Sequence, residues 1–407
     1  MENGASSANK TTSVSSSLQR ETEYLATLIN YAIENQFSVA VWRLPNDPVK
    51  HIVISRKPQL LKREATVLEE LEQGFIFAPF DRNSDTIFLP ADYKFTFTDG
   101  TLRAPEHPIE TTSHTWFEEK FQRVVQSKAT AFHHTKNTAA NSPTVADYIS
   151  LVTTGIQEIE KGIMEKIVPS RTKVIDLPLE FDIVQSFQNL CRSYPNALIS
   201  FVSSPETGSW LGATPEVLVG VEDKSIFRTV ALAGTQPYQE GINLKSVAWT
   251  QKEIEEQALV ERYVISCFKK IRVREYDEHG PKTVVAGNLM HLKSDFTVDM
   301  KAIDFPQLGS VMLQLLHPTS AVCGMPLEPA LEFLKKHEGY NRQFYAGFLG
   351  PVNVSGNTNI FVNLRCMQLL DSKAILYAGA GVTIDSIPER EWSETEIKFN
   401  TMLNILK

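Results

Sequence analysis

From Thr144 to the C-terminus the chain offers no second linker. Strand-like runs (ALISFV, SIFRTVALAG, TVVAGNLMHL, FYAGFLGPVNV and NIFVNLRCMQLL) follow one another with helical segments between them and short turns joining them. Short connections make sequential strands antiparallel neighbours, so this stretch predicts one large strand-rich α+β unit built on antiparallel sheets. A break in the pattern lies just upstream, in the polar segment AFHHTKNTAANSPT, where His133 and His134 read as solvated loop residues. The helix after it is well marked. Thr144 and Asp147 have the spacing of an N-cap and its N3 acid, and Tyr148, Val152, Ile156, Ile159 and Ile163 recur at helical period.

The N-terminal third divides in two. Residues 1–19 are Ser/Thr/Asn-rich with almost nothing to bury and predict a disordered tail. Residues 20–143 hold one helix (ETEYLATLINYAIENQF) and short strand-like runs (HIVISR, GFIFAPF, TIFLPADYKFTF), which read as the part that completes the fold ahead of a catalytic region at 144–407. The composition, 42% hydrophobic and 22% charged, permits a sizeable core. A net charge of −8 with no long basic run would repel a phosphate backbone, so nucleic acid is not an expected partner. Cys191, Cys267, Cys323 and Cys366 are far apart and form no CxxC pair, which fits a reducing cytoplasm. With no apolar run of membrane length and no export signal at the start, a cytoplasmic protein away from membranes is expected.

Two acidic pairs carry the chemistry. Glu253 and Glu256 share a helical face with Trp249, Val260 and Val264, interrupting an apolar stripe. In the last helix, for which Ser386 and Glu389 supply a capping-box spacing, Glu391, Glu394 and Lys398 lie at i, i+3 and i+7. Carboxylates converging on a common cleft would repel unless a hard cation sat among them, although Glu at helical spacing near Lys is more commonly a solvated face. Lys166 opens the strand KIVPSR behind an apolar helix, and burial is what turns a lysine into a base; a surface lysine at a strand edge is the commoner case. Glu216, at the start of an apolar run, would hold its proton and serve as a general acid if it points inward. Gly379 and Gly381 follow a strand directly, a backbone that can approach an anion closely, but a third glycine and the βαβ context of a dinucleotide site are missing. Arg365 reads as a charge in the middle of an apolar strand, in need of an anionic ligand or a structural ion pair. His291 sits among apolar neighbours.

In chain order, KIVPSR, LGATPEVLV, ALAGTQP, KEIEEQALV, MHLKSDF, HPTSAVCGMP, NRQFYAGFLGPV, LRCMQL, YAGAGVTIDS and EREWSETEIK resemble the chorismate-utilising enzymes, which include isochorismate, salicylate, anthranilate and aminodeoxychorismate synthases. The resemblance covers roughly residues 144–407 and implies two large antiparallel sheets with helices outside and an active-site cleft between the halves. It implies Mg²⁺ as cofactor, with Glu256 and Glu394 as ligands and Glu253 and Glu391 holding the ion's waters. Lys166 takes the place of the general base and Glu216 that of the general acid. Arg365, Tyr345 and the backbone of Gly379, Ala380 and Gly381 would cradle the enolpyruvyl carboxylate. Lys398 would lie near the metal, Gly234 and Thr235 would line the pocket, and His291 is a further member.

Within the family, a lysine at 166 suits activation of water, HPTSAVCGMP is similar to the HPTPAVCG-type stretch of the isochorismate-forming branch, and Ala233 stands where the aminodeoxychorismate enzymes carry a covalent lysine. The implied activity is an isomerase (hydroxymutase) reaction. Water adds at C2 of chorismate, the C4 hydroxyl leaves, and the isochorismate formed would feed menaquinone or siderophore synthesis. A salicylate synthase and a non-catalytic chorismate-binding protein are the rivals, and a monomer with chorismate as its small-molecule partner is expected. Pro169, Gln257 and Gln236 depart from the family pattern at an aliphatic, a histidine and an arginine position.

Overall fold

In a computed structural model, residues 6–98, 101–103, 128–129, 131–135, 142–286 and 289–406 are described. Two nine-stranded antiparallel sheets stack face to face. In spatial order, sheet I runs Thr101–Arg103, Tyr93–Thr98, Lys50–Ser55, Ser38–Arg43, Leu198–Ser204, Gly208–Thr214, Cys366–Leu369, Lys373–Gly379 and Ser170–Asp176. Sheet II runs Asp277–Ala286, Leu289–Asp299, Ile226–Pro237, Val217–Glu222, Thr358–Val362, Phe348–Val352, Gly74–Ala78, Thr86–Pro90 and Gln59–Leu61. A two-stranded ribbon, Lys166–Ile167 with Gly324–Met325, stands apart. Both sheets take strands from either side of residue 143: Val39 pairs with Ser203 in sheet I, and Phe348 with Ala78 in sheet II.

The period of two along each sheet I strand separates two cores. Ala40, Trp42, Leu198, Val202, Ile375 and Tyr377 face sheet II, whereas Val39, Val41, Ile199, Phe201, Ala374 and Leu376 face outward. The outward set is covered by residues of the helices Ser6–Glu34, Ile183–Ser193 and Pro388–Leu403, and sheet II is covered by Gln251–Lys270 and Leu308–Leu316. The layers are therefore helix, sheet, sheet, helix. A third cluster joins Val145–Glu160 and Leu327–His337 over Ile167 and Val382.

Rings cross the inter-sheet core in sequence. Phe77 stacks on Phe344 at 4.1 Å, Phe344 meets Trp210 edge-on at 5.8 Å, Trp210 stacks on Tyr377 at 5.4 Å, and Tyr377 on Tyr345 at 5.2 Å. Each such pair contributes about 0.5–1.5 kcal/mol beyond its area. The series ends on two tyrosines that line the cleft, so the site is built on a rigid floor.

Several sequence expectations are corrected here. The helix read from ETEYLATLINYAIENQF begins earlier, at Ser6, and runs to Glu34. The capping box at Thr144 and Asp147 forms, but its helix ends at Glu160, and Ile163 lies beyond it and exposed. TVVAGNLMHL is not one strand: it divides between Asp277–Ala286 and Leu289–Asp299, paired with each other. NIFVNLRCMQLL divides too, into Thr358–Val362 of sheet II and Cys366–Leu369 of sheet I. Arg365 therefore sits in a crossing between sheets, with φ 48°, rather than in mid-strand. The last helix starts at Pro388 with Ile387 as N-cap, one residue later than a Ser386 cap requires; the Ser386 hydroxyl accepts from Thr383 N instead. His133 is buried, with Nε2 2.9 Å from Phe37 O, while His134 is exposed. Among the described residues, no helix is long and apolar enough to cross a membrane.

Candidate active site

The chain crosses between the sheets twice, side by side. Thr214 ends a sheet I strand and Val217 begins one in sheet II; Val362 ends a sheet II strand and Cys366 begins one in sheet I. The crossings are laced together by Thr214 Oγ1 to Val362 O at 2.6 Å, Val362 N to Glu216 O at 3.0 Å, and Ala213 N to Arg365 O at 3.0 Å. Such crossings open a gap at one end of the sandwich and deliver Glu216 and Arg365 into it. The resulting cleft encloses ≈ 680 Å³, its open mouth included.

Glu216, Gly234, Thr235, Glu256, His291, Tyr345, Arg365, Gly379, Gly381, Glu394 and Lys398 all line this cleft, though they come from distant parts of the chain. Four candidates do not. Ala380 is buried, its N–H donated to Pro169 O at 3.2 Å and so turned from any ligand. Glu253 forms the N3 half of a capping box with Thr250, its Oε2 accepting from Thr250 N at 2.7 Å and from Gln236 Nε2 at 3.2 Å. Glu391 is 1% exposed and takes the Lys252 ammonium at 2.5 Å. Lys166 lies just behind the lining, 0% exposed, with Nζ 2.8 Å from Glu256 Oε1.

The position of Lys166 follows from its neighbours. The strand Lys166–Ile167 pairs with Gly324–Met325 on one side and bridges to Val382 on the other, through Ile167 N to Val382 O at 3.0 Å and Val382 N to Ile167 O at 2.8 Å. That bridge brings Gly381 against the lysine and Glu256. A β-carbon at Gly381 would collide with Glu256 Oε1 and stand 3.2 Å from Lys166 Cε, so only glycine leaves room for the pair. Gly381→Ala is expected to keep the fold, with a change in melting temperature of a few degrees, and to lower turnover at least tenfold by pushing the Glu256 carboxylate off its place. Thermal melts beside steady-state rates would check this; unchanged rates would mean that the pair does not matter to the reaction.

Charge in the cleft is arranged in opposites. Burial would raise the Glu256 carboxyl, but the Lys166 ammonium beside it, with Lys252 and Lys398 farther off, holds it down to about 2. Glu394 receives Lys398 Nζ at 2.6 Å, and the same ammonium donates to Gly379 O at 2.8 Å. Glu216 lacks such a partner. Burial pushes its carboxyl up to about 7, only partly opposed by the Thr319 hydroxyl at 3.3 Å and the charges of Lys166, Arg365 and Lys398. It thus keeps its proton below about pH 7, far above the range of an exposed carboxylate.

The opposite wall reads anions. Burial lowers the pKa of Arg365, and among the described residues it forms no ion pair, which leaves a desolvated guanidinium facing the cleft. Burial, and then the Arg365 charge, pushes His291 down to about 3, so the ring is neutral. Its Nδ1 lies 2.6 Å from Gly234 O, which makes Nδ1 the donor and leaves Nε2, 3.5 Å from Arg365 Nη2, as an acceptor. Gly234 itself has φ 65°, at a register shift between Ala233 and Gln236 that marks a bulge. The bulge turns the LAGT backbone into the cleft, a conformation that glycine adopts without strain.

Among the described residues, no group of three or more His, Cys, Asp or Glu side chains forms a ready-made metal cage. Mg²⁺ does not require one: it is held by one or two carboxylates with waters and substrate oxygens completing the shell. Glu256 and Glu394, on two different helices, supply two hard oxygen donors to one cleft, and among the described residues the buried Oε2 of Glu391 has no hydrogen-bond partner. The donor set fits such an ion. Sequence reasoning missed Thr319, Lys252, Leu364 and Tyr377; Thr319 lies inside the quoted HPTSAVCGMP, whereas Lys252 gives no local sign of its partner on the last helix.

Residues 91–407 match the family model described as chorismate binding enzyme. The chain is 30% identical over 277 residues to the isochorismate synthase DhbC of Bacillus subtilis (strain 168), covering 65% of this chain and 68% of that protein. It is 28% identical over 272 residues to anthranilate synthase component 1 of Methanothermobacter marburgensis, covering 64% and 56%. The structure of MenF, the menaquinone-specific isochorismate synthase from Escherichia coli, superposes with a TM-score of 0.72 at 21% identity, over 93% of this chain and 91% of that one.

Proposed function

The chain belongs to the chorismate-binding enzymes, and within that family we propose that it is an isochorismate synthase, an isomerase that adds water at C2 of chorismate and expels the C4 hydroxyl. Overall identity does not choose the reaction, since an anthranilate synthase subunit scores almost as high as an isochorismate synthase. The observation that carries the choice is a wholly buried lysine at the cleft, Lys166, with a protonated carboxylic acid, Glu216, in the same site. A buried amine and a buried acid suit a reaction in which water is deprotonated and a hydroxide leaving group is protonated.

The residues divide the work. Arg365, which pairs with no carboxylate among the described residues, takes the enolpyruvyl carboxylate, with Tyr345 and the Gly379 to Gly381 segment as the wall behind it. Mg²⁺ would be held by Glu256 and Glu394, with Glu391 reaching it through water, and would supply positive charge for the ring carboxylate. Lys166 takes a proton from the attacking water. Glu216 gives its proton to the departing C4 oxygen. Neutral His291, held by Gly234 O, keeps the Arg365 guanidinium oriented, and Lys398 braces Glu394.

Purified protein with chorismate and Mg²⁺ tests the proposal directly. Isochorismate is expected as the accumulating product, and a chelator should abolish its formation. Fluorescent salicylate would replace the isomerase with a salicylate synthase, an amino-substituted product dependent on ammonium would indicate the ammonia branch, and tight chorismate binding without turnover would leave a binding protein.

A further inference from the structure

The base and the acid sit on different segments, and one buried ion pair outside the cleft holds both. Arg342 is 3% exposed and spends its guanidinium on four contacts: Nε to Glu338 Oε2 at 2.7 Å, Nη2 to Glu338 Oε1 at 2.6 Å, Nη1 to Val322 O at 2.8 Å, and Nη2 to Val168 O at 2.8 Å. Val168 is two residues from Lys166. Val322 belongs to the turn whose amides, Val322 N at 3.1 Å and Cys323 N at 2.9 Å, close on Thr319 O, and Thr319 is the residue that donates to Glu216. Glu338 reaches the base strand as well, since its Oε1 accepts from both Ser170 N and Ser170 Oγ at 2.7 Å. Val168 and Val322 line the cleft, so the clamp grips its wall from behind.

We propose that the Arg342–Glu338 pair is a positioning element for the reaction: it fixes the Lys166 strand relative to the Thr319–Val322 turn, and thereby the base relative to the acid. This rests on the isochorismate synthase reading. The planar fork is what the task requires, because it satisfies two carbonyls and a bidentate carboxylate at once, and a lysine ammonium cannot reach both carbonyls and both oxygens in that geometry. A buried pair of this kind contributes little net stability compared with apolar replacement, so its value lies in specifying one arrangement. Every group that touches the proposed substrate is elsewhere.

The test compares Arg342→Lys with Thr319→Val and the unaltered enzyme. Arg342→Lys is expected to lower kcat by roughly 10–100-fold with KM for chorismate changed less than about threefold, because the groups that bind the two carboxylates are untouched. It should also move the alkaline limb of the pH profile upward, in the same direction as Thr319→Val, since loss of the Thr319 hydrogen bond removes a contact that favours ionised Glu216; the other charges facing that carboxyl, from Lys166, Arg365 and Lys398, remain. If Arg342→Lys fails to fold, Glu338→Gln, which keeps the shape of the clamp and weakens it, supplies the same readouts. A folded variant with unaltered kcat, or with kcat lowered and the pH limb unmoved, would overturn the clamp while leaving the synthase reading intact. No isochorismate from the unaltered enzyme would overturn that reading instead.

Discussion

Replacing Lys166 with methionine is expected to cut isochorismate formation by about a thousandfold, the range over which a general base contributes. The substitution keeps most of the side-chain volume in a site that is wholly buried, so no large cavity opens. What it removes is the partner of Glu256. Breaking a fully buried ion pair costs roughly 3–5 kcal/mol. Here the carboxylate is 15% exposed and retains the fields of Lys252 and Lys398, so a loss on the order of 2 kcal/mol is expected. Urea unfolding should therefore remain cooperative, with a lower midpoint, and Mg²⁺ should still bind. Turnover within a factor of a few of the unaltered enzyme would mean that another group activates water.

Much of this site was legible in the sequence, and the parts that were not share a physical reason. The acid helices could be read because Glu253 and Glu256 interrupt an apolar stripe and Glu391, Glu394 and Lys398 share one helical face, and the structure does bring Glu256 and Glu394 into one cleft. Glu253 illustrates the limit of spacing. A Glu three residues after Thr250 has the geometry of a cap as well as of a ligand shell, and the cap is what forms. Arg365 was hidden for a different reason: the crossing at Asn363, Leu364 and Arg365 contains neither glycine nor proline, and an apolar run on each side reads as a single strand. Its left-handed backbone is stabilised by the neighbouring crossing through Ala213 N, a partner far away in the chain. His133, in a largely polar segment, is buried because Ser203 Oγ and Phe37 O, remote in the chain, accept its backbone N–H and meet its ring. Periodicity reports which face of an element is apolar; it does not report which remote segment will satisfy a polar group.

Glu216→Gln should separate activity from stability more sharply than any other substitution in the cleft. The amide cannot protonate a leaving hydroxyl, so turnover is expected to fall by about 10²–10⁴. In the unaltered enzyme, kcat/KM should decline above a midpoint near the value of about 7 to which burial raises the carboxyl, and that limb should vanish in the variant's residual rate. Stability runs the other way. Because the native carboxyl holds its proton more tightly than the unfolded one, whose value is near 4.5, its contribution is fully present below about pH 4.5 and is lost as pH rises through 7. The loss between those limits is on the order of 3 kcal/mol for a group buried this completely. Glutamine titrates nowhere in that window and still offers a carbonyl oxygen to the Thr319 hydroxyl, so the variant should be the more stable protein at pH 8 and lose its advantage by pH 5. Denaturation at the two pH values, set beside product assays, decides the matter. A variant that loses activity without gaining stability at pH 8 would mean that folding does not raise the Glu216 carboxyl, and the proton for the leaving hydroxyl would have to come from elsewhere.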